Sequence, residues 1–390
     1  MPTTRAALAV AASAALAAAG AARTYDVTIL ERNPQPAMSL KLPPGKGYSP
    51  CEFTFNPAWL EPDGVGLNRS ILIFRASNCP PSYGGAEDHL LFAYCNSDGT
   101  CGDAQDLAFP FEPGSEDPRV FYYNSTYWMF YFANGVGQST VYLRKTATPL
   151  DPASWESVLP APLPWHRNGC VILRDAGGPH YVIFGETGAL PGIGIATTTD
   201  FVSYDVLNAT WLEPLGANNT AEPEIVLEAA THPVKLSTGD YFHIYAAGTP
   251  GWVAKGNYTG GWLILDGDDP TRILQRSAVH TFVSTEDYEV GDGIWPVNRN
   301  RTLFITSVVP VPGAAAPDTF RLWYGAAGAS PRVASARAAL PPAGDPSLAE
   351  QPVPPSPARP PPPLPHSPSS ILADANIGTM VIQVTSSSRS

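Results

Sequence analysis

Charge is scarce in this chain. Only 15% of its 390 residues are charged, and 35 acidic residues outnumber 23 basic ones, for a net charge of −12. That balance argues against sequence-independent binding to nucleic acid or to an anionic membrane. Also missing is any long stretch with helical periodicity. The longest apolar run, Ala6 to Ala19, is too short to span a bilayer. There is no Gly-x-Ser-x-Gly elbow and no Walker motif, and Gly192-Ile193-Gly194 lacks the third glycine and following helix of a dinucleotide site. Cysteines number five, and Cys95 and Cys101 are spaced wrongly for zinc, with no His pair beside them. Neither a structural metal nor an organic cofactor is expected.

What the chain has is proline (43), glycine (34) and an apolar fraction of 44% with 10% aromatics. This composition favours many short strands and turns. Residues 1–22 read as a signal peptide: Arg5 is followed by the Ala/Leu/Val run, and Gly20-Ala21-Ala22 supplies small residues for cleavage. Six Asn-x-Ser/Thr sites, at Asn68, Asn124, Asn208, Asn218, Asn257 and Asn300, fit a secreted glycoprotein. One or two disulfides suit that oxidising route, with Cys79, Cys95 and Cys101 close together and one thiol left over.

Residues 23–52 are a Pro-punctuated N-terminal extension. From Phe53 a pattern recurs: a polar or Gly turn, then a short aromatic and β-branched strand. It begins at Asn68, Asn124, Gly178, Thr238 and Asp318. No copy can bury its apolar face alone, so copies must pack on one another. Five such units predict an all-β, five-bladed β-propeller over 53–340, with a long-looped sandwich as the alternative. Residues 341–370 are a proline-rich linker. Residues 371–390 contain only a brief apolar stretch, Met380-Val381-Ile382, and read as a disordered tail. Truncation after Leu340 is expected to leave stability unchanged.

The stretch Gly114–Gly137 concentrates the chemistry. Glu116, Asp117 and Arg119 surround Pro118, which is expected to hold Asp117 extended at a strand start. Arg119 can pair with a carboxylate or clamp a ligand hydroxyl. Tyr122 to Tyr131 reads as two strands joined by a polar turn. Taken alone, the charged group could equally be an ion pair at a strand end.

Several motifs, in order, resemble glycoside hydrolase family 130, the β-mannoside phosphorylases and mannosidases. They are Asn56-Pro57-Ala58 with Ile73-Phe74-Arg75; Asn96-Ser97-Asp98-Gly99; Glu116-Asp117-Pro118-Arg119-Val120; Leu263 to Asp266 through Arg276; Tyr288-Glu289; and Trp323 to Ala327. The resemblance implies a five-bladed propeller with an axial site for an oligosaccharide or polysaccharide. It also implies that Asp117 is the general acid, acting through a sugar hydroxyl. Asn56, Arg75, Glu116 and Arg119 would bind sugar, with His232 and Tyr245 as further lining candidates. The chain departs from the phosphorylases at two strand ends. Phe184-Gly185-Glu186-Thr187 replaces a His-Arg-Pro-like segment, and Tyr245-Ala246-Ala247-Gly248 replaces Tyr-His-Gly. Loss of those basic groups leaves little to bind phosphate and favours inverting hydrolysis. Glu186 is the candidate base, with Glu222 and Glu224 as rivals. A phosphorylase and a catalytically silent glycan-binding propeller are the alternatives.

Overall fold

The computed structural model describes residues 23–34, 37–39, 53–64, 66–77, 88–105, 109–134, 140–163, 165, 167–174, 178–185, 191–216, 223–249, 258–290, 301–326 and 376–388. They form five antiparallel sheets arranged as a five-bladed β-propeller. Blade one comprises Phe53–Leu60, Ile71–Ser77, His89–Cys95 and Cys101–Ala104. Blade two comprises Ser115–Tyr123, Thr126–Ala133, Thr140–Thr146 and Glu156–Ser157, and blade three Arg167–Ile172, His180–Gly185, Ile193–Thr198 and Asp205–Leu212. Blade four is built on Val226–Ala229, Tyr241–Gly248, Tyr258–Leu265 and Ile273–Arg276.

The five aromatic repeats of the sequence are the second strands of the five blades. In blade two the turn before the repeat is the two-residue loop Asn124-Ser125. Both residues have left-handed φ values, 51° and 56°. That is the hairpin geometry matching the natural twist of paired strands, and Asn tolerates it readily.

Each interface between neighbouring blades is a separate apolar cluster. Leu60, Ile73 and Phe92 meet Met129 and Tyr131 between blades one and two. Phe130 and Phe132 meet Val182 and Phe184 between two and three. Comparable clusters join three to four and four to five. Between five and one, Trp59 stacks on Trp323 with ring centroids 4.5 Å apart. The disulfide Cys95–Cys101 clips the outer hairpin of blade one, and Cys170 is a buried free thiol. Cys51 and Cys79 lie outside the described residues.

Blade five overturns the expectation for both ends of the chain. Its first two strands are Leu303–Pro310 and Thr319–Ala326. Its third is Asn376–Ser388, from the segment expected to be a disordered tail. Its fourth is Arg23–Arg32, from the segment expected to be an extension outside the propeller. The register runs from Thr319↔Gln383 to Ala326↔Asn376 on one side and from Arg23↔Ser388 to Arg32↔Met380 on the other. The reason is burial. Ile377, Met380, Ile382 and Val384 all enter the core, beside Tyr25 from the N-terminal strand. Tyr25 also donates its hydroxyl to Asp240 of blade four.

The same strand reverses the expected result of truncation. A chain ending at residue 370 loses a ladder on each side of 376–388 and four buried apolar side chains, each worth about 1.5–3 kcal/mol. We expect it to melt far below the full chain or to fail to fold, as read by thermal denaturation. An unchanged melting temperature would show that blade five closes without this strand.

Candidate active site

The first strands of the blades are innermost and pack against one another around the axis. Near its N-terminal end, each of the first three carries an irregularity at an Asx residue. The ladder slips between Phe55 and Ala58, between Glu116 and Arg119, and between Arg167 and Cys170. Within these bulges Asn56, Asp117 and Asn168 have φ values of 47°, 53° and 56°. Asn and Asp enter this left-handed region far more readily than other L-residues. A bulge re-aims a side chain out of the pleat. Asp117 is therefore not extended, as its place before Pro118 suggested; the bulge overrides the usual preference of a pre-proline residue.

The bulges converge three polar side chains, and charged residues close around them. Asn56 Nδ2 donates to Asp117 Oδ1 at 2.6 Å. Arg75, from the second strand of blade one, lies 2.8 Å from Glu116 and 2.6 Å from Asp88, and 3.8 Å from Asp117. Arg167 approaches from blade three, 3.7 Å from Asp117 Oδ2 and 4.0 Å from Glu228 Oε2. Glu228, on the first strand of blade four, accepts from the Tyr258 hydroxyl at 2.7 Å. Asn168 donates to the Ala229 carbonyl at 3.1 Å, tying blade three to the strand that carries Glu228. Gly185 makes this approach possible: a Cβ there would lie 2.9 Å from the Ala229 nitrogen.

The four carboxylates are almost wholly buried, while the Arg167 side chain keeps 26% of its surface exposed. Arg167 is thus the charged group at the opening. Two adjacent carboxyls in so dry a place divide their protons unequally. For Glu116, burial dominates, and with Asp88 and Asp117 nearby it outweighs Arg75 and raises the carboxyl to about 8. For Asp117, burial also favours the neutral form. Here Arg75, Arg119 and Arg167 and the Asn56 hydrogen bond overcome it and hold the group below its ordinary value. At neutral pH the proton stays on Glu116 and the charge on Asp117. Glu116 Oε1 has no hydrogen-bond partner within the protein.

The same overall fold occurs in other solved structures. A glycosyl hydrolase from Bacteroides ovatus superposes with a TM-score of 0.59 at 17% identity, over 76% of this chain and 90% of that one. A family 130 structure, from work on glycoside hydrolases targeting β-1,2-mannosidic linkages in Candida mannan, gives 0.60 at 17% identity, over 77% and 91%. The β-1,2-mannobiose phosphorylase of Listeria innocua, solved with β-1,2-mannobiose, gives 0.58 at 16% identity, over 77% and 94%. The fold of this chain is similar to that of the family 130 structure. No family model matches the sequence, and no curated protein matches it.

Within this propeller, Asn56, Arg75, Glu116 and Asp117 come together as one cluster. Arg119 lies just below them, fully buried, with its charge acting on Asp117. Tyr245 is placed elsewhere. Its hydroxyl donates to Glu224 at 3.1 Å and accepts from Arg276 Nε at 3.1 Å. Glu224 is further filled by His280 at 2.9 Å, the Leu215 amide at 2.9 Å and Arg276 Nη2, so its oxygens are occupied as a structural crosslink. His232 lies further along the axis, its Nδ1 accepting from the Val171 amide at 2.8 Å. Glu186 and Glu222 fall outside the described residues. Asp88, Arg167, Asn168, Glu228 and Tyr258 were not singled out from the sequence. The one available signal was Asn168-Gly169, which repeats the Asx-then-turn-former pattern of Asn56-Pro57 and Asp117-Pro118 at the head of a first strand.

The raised Glu116 carboxyl makes stability depend on pH. Its ordinary value is 4.5 and its folded value about 8, so between the two the folded chain keeps a proton that the unfolded chain has released. Its contribution is full below 4.5 and falls as pH rises towards 8. We expect the melting temperature to decline across that window, and Glu116→Gln, which cannot ionise, to flatten the decline. An equal decline in the variant would assign the effect to another group.

Proposed function

We propose that the chain is an exported glycoside hydrolase acting on β-linked mannosides or closely related glycans, by inverting displacement. The observation that carries this reading is the pair of buried carboxylates, Asp117 and Glu228, facing each other through one guanidinium. Arg167 lies 3.7 Å from one and 4.0 Å from the other, so the two facing oxygens are at most about 7.7 Å apart, the sum of those distances. Inverting carboxyl pairs sit about 6.5–9.5 Å apart and retaining pairs about 5–5.5 Å, so this upper bound leaves room for the inverting spacing.

Asp117 is the acid side of the site. Glu116 holds the proton, and Asp117, aimed by its bulge, is the group that a sugar hydroxyl meets. A hydroxyl bound between them relays the proton to the leaving oxygen, in keeping with the indirect route that the family resemblance implies. Glu228 is the base. It stands on the next-but-one first strand, oriented by Tyr258, and can take a proton from water on the far side of the ring. It replaces Glu186 in that role because Glu228 belongs to the carboxylate cluster itself. The neighbours that share the fold are described as hydrolases and phosphorylases of mannosides, which supports the substrate class. The phosphorylase reading loses support from the missing His and Arg at the two strand ends. Export is supported by the signal-like N-terminus and by Asn68, Asn124 and Asn208, three of the glycosylation sites, all of which are exposed.

Asp117→Asn should keep the fold, because Asn has the same shape and accepts a φ of 53°. Turnover of β-manno-oligosaccharides should fall by roughly 10²–10⁴, the usual worth of a general acid or base. Glu228→Gln should cut turnover as deeply while sugar binding persists in calorimetry. A mild effect at Glu228 would return the base role to Glu186. Added phosphate should neither speed the reaction nor produce mannose 1-phosphate; that product as the main one would make the enzyme a phosphorylase. Enzymatic deglycosylation of the protein from a eukaryotic host should lower its mass by several glycans, and an unchanged mass would remove the case for export.

A further inference from the structure

The axis has a second mouth. The carboxylate cluster sits at the N-terminal ends of the first strands. Three to five residues further on, the same strands line a cavity of about 380 Å³. Trp59 follows Asn56, Tyr122 follows Asp117, and His232 follows Glu228. At about 3.3 Å per residue the cavity lies roughly 10–17 Å along the axis from the site, on the opposite side of the propeller.

Its chemistry is one-sided. The walls include the rings of Trp59, Phe121, Tyr122 and Tyr241, and no carboxylate is among the lining residues. Lys235 stands exposed at the rim, its ammonium 6.0 Å from the centre of the Tyr241 ring. His232 supplies a donor from within. Burial, with Arg119 adding to it, holds the ring neutral at about 3. Because Nδ1 accepts the Val171 amide, the proton sits on Nε2, which faces the Arg119 and Val120 backbone without a hydrogen bond of good geometry. Behind His232 lies Arg119. It is fully buried; Nη1 donates to the Pro118 carbonyl at 3.1 Å, and neither Nε nor Nη2 has a hydrogen-bond partner. The neutral Cys170 thiol lies against it, but a thiol is a weak acceptor. Unpaired buried donors on a cation cost free energy that a bound acceptor would recover.

We propose that this cavity is a second ligand site, distinct from the carboxylate cluster, that takes a monosaccharide-sized sugar bearing one anionic group, a carboxylate or a phosphate. The aromatic walls suit the apolar face of a sugar ring. The Lys235 ammonium at the rim, with the His232 ring and the hydroxyls of Ser307, Tyr122 and Tyr241 on the walls, suits the anion. In a chain of net charge −12, a wall without carboxylates admits such a ligand where most of the surface repels it.

The test is calorimetric titration of the full chain with glucuronic acid, glucose 6-phosphate, inorganic phosphate and glucose. One or both acidic sugars should bind, and glucose at least about tenfold more weakly. Which acidic sugar binds separates a carboxylate from a phosphate site. Lys235→Glu, an exposed position, should weaken that binding by about tenfold or more, a change of 1.4 kcal/mol. Tyr122→Ala, at a side chain 43% exposed, should weaken it as well. Asp117→Asn should leave it unchanged, which separates this site from the proposed active site whether or not the chain is a hydrolase. Four results would overturn the proposal: no binding of either acidic sugar at millimolar concentration, equal binding of glucose, inorganic phosphate binding as well as the sugar phosphate, or binding lost in Asp117→Asn and kept in Lys235→Glu.

Discussion

Everything at the centre of this propeller depends on how buried carboxylates are neutralised. Asp88, Glu116, Asp117 and Glu228 converge where the first strands meet, and leaving them all ionised in so dry a place would cost far more than a domain's net stability. Arg75 and Arg167 carry most of the compensation, and the proton on Glu116 supplies the remainder. Removing one partner of such a set is expected to be much more damaging than the ion pairs are stabilising. The cluster is therefore better understood as a means of fixing positions than as a source of stability. It places one charged and one neutral carboxyl side by side.

The geometry that allows this is in the backbone. In a five-bladed propeller the first strands come very close, and straight strands would turn alternate side chains into the blade interfaces. The left-handed bulges at Asn56, Asp117 and Asn168 break that alternation at one level and turn three polar side chains towards the axis. Below that level the strands resume their ladders, and apolar and aromatic residues take over. Two chemically different levels thus share one axis, a carboxylate cluster above and a cavity with no carboxylate among its lining residues below, with Arg119 between them.

Much of this was legible in the sequence, and the failures have definite causes. The five second strands were visible because each is fully buried, aromatic, and preceded by a turn that needs Asn, Asp or Gly. The charged stretch around Asp117 stood out because Pro118 and two ionisable neighbours are rare at a strand head. Its conformation did not, since the influence of Pro118 on the preceding residue is a local preference that the bulge overrules. Arg167, Glu228 and Tyr258 were missed because each matters only through partners on other strands, 30 to 61 residues away in the chain, and none sits in a distinctive local pattern. Tyr245 was misjudged for the complementary reason: a tyrosine at a promising strand end can be claimed by a buried Glu224–Arg276 pair that no local window shows. Asn376–Ser388 was overlooked because its alternation is short and lies beyond a long proline-rich stretch.

The pairing of Arg23–Arg32 with Asn376–Ser388 has a consequence for how the molecule is made. Among the described residues the first and last strands in chain order are neighbours in one sheet, so blade five cannot close until Asn376–Ser388 has emerged. Blades one to four can each assemble from contiguous sequence as they appear. Tyr25, already synthesised, must wait for Val384 and Ile382 with its apolar surface uncovered. Such end-to-end contacts carry a large loop-closure cost and form late. The step most exposed to aggregation is then the final one, and a host that folds this protein well must shelter an open, four-bladed intermediate for as long as translation takes.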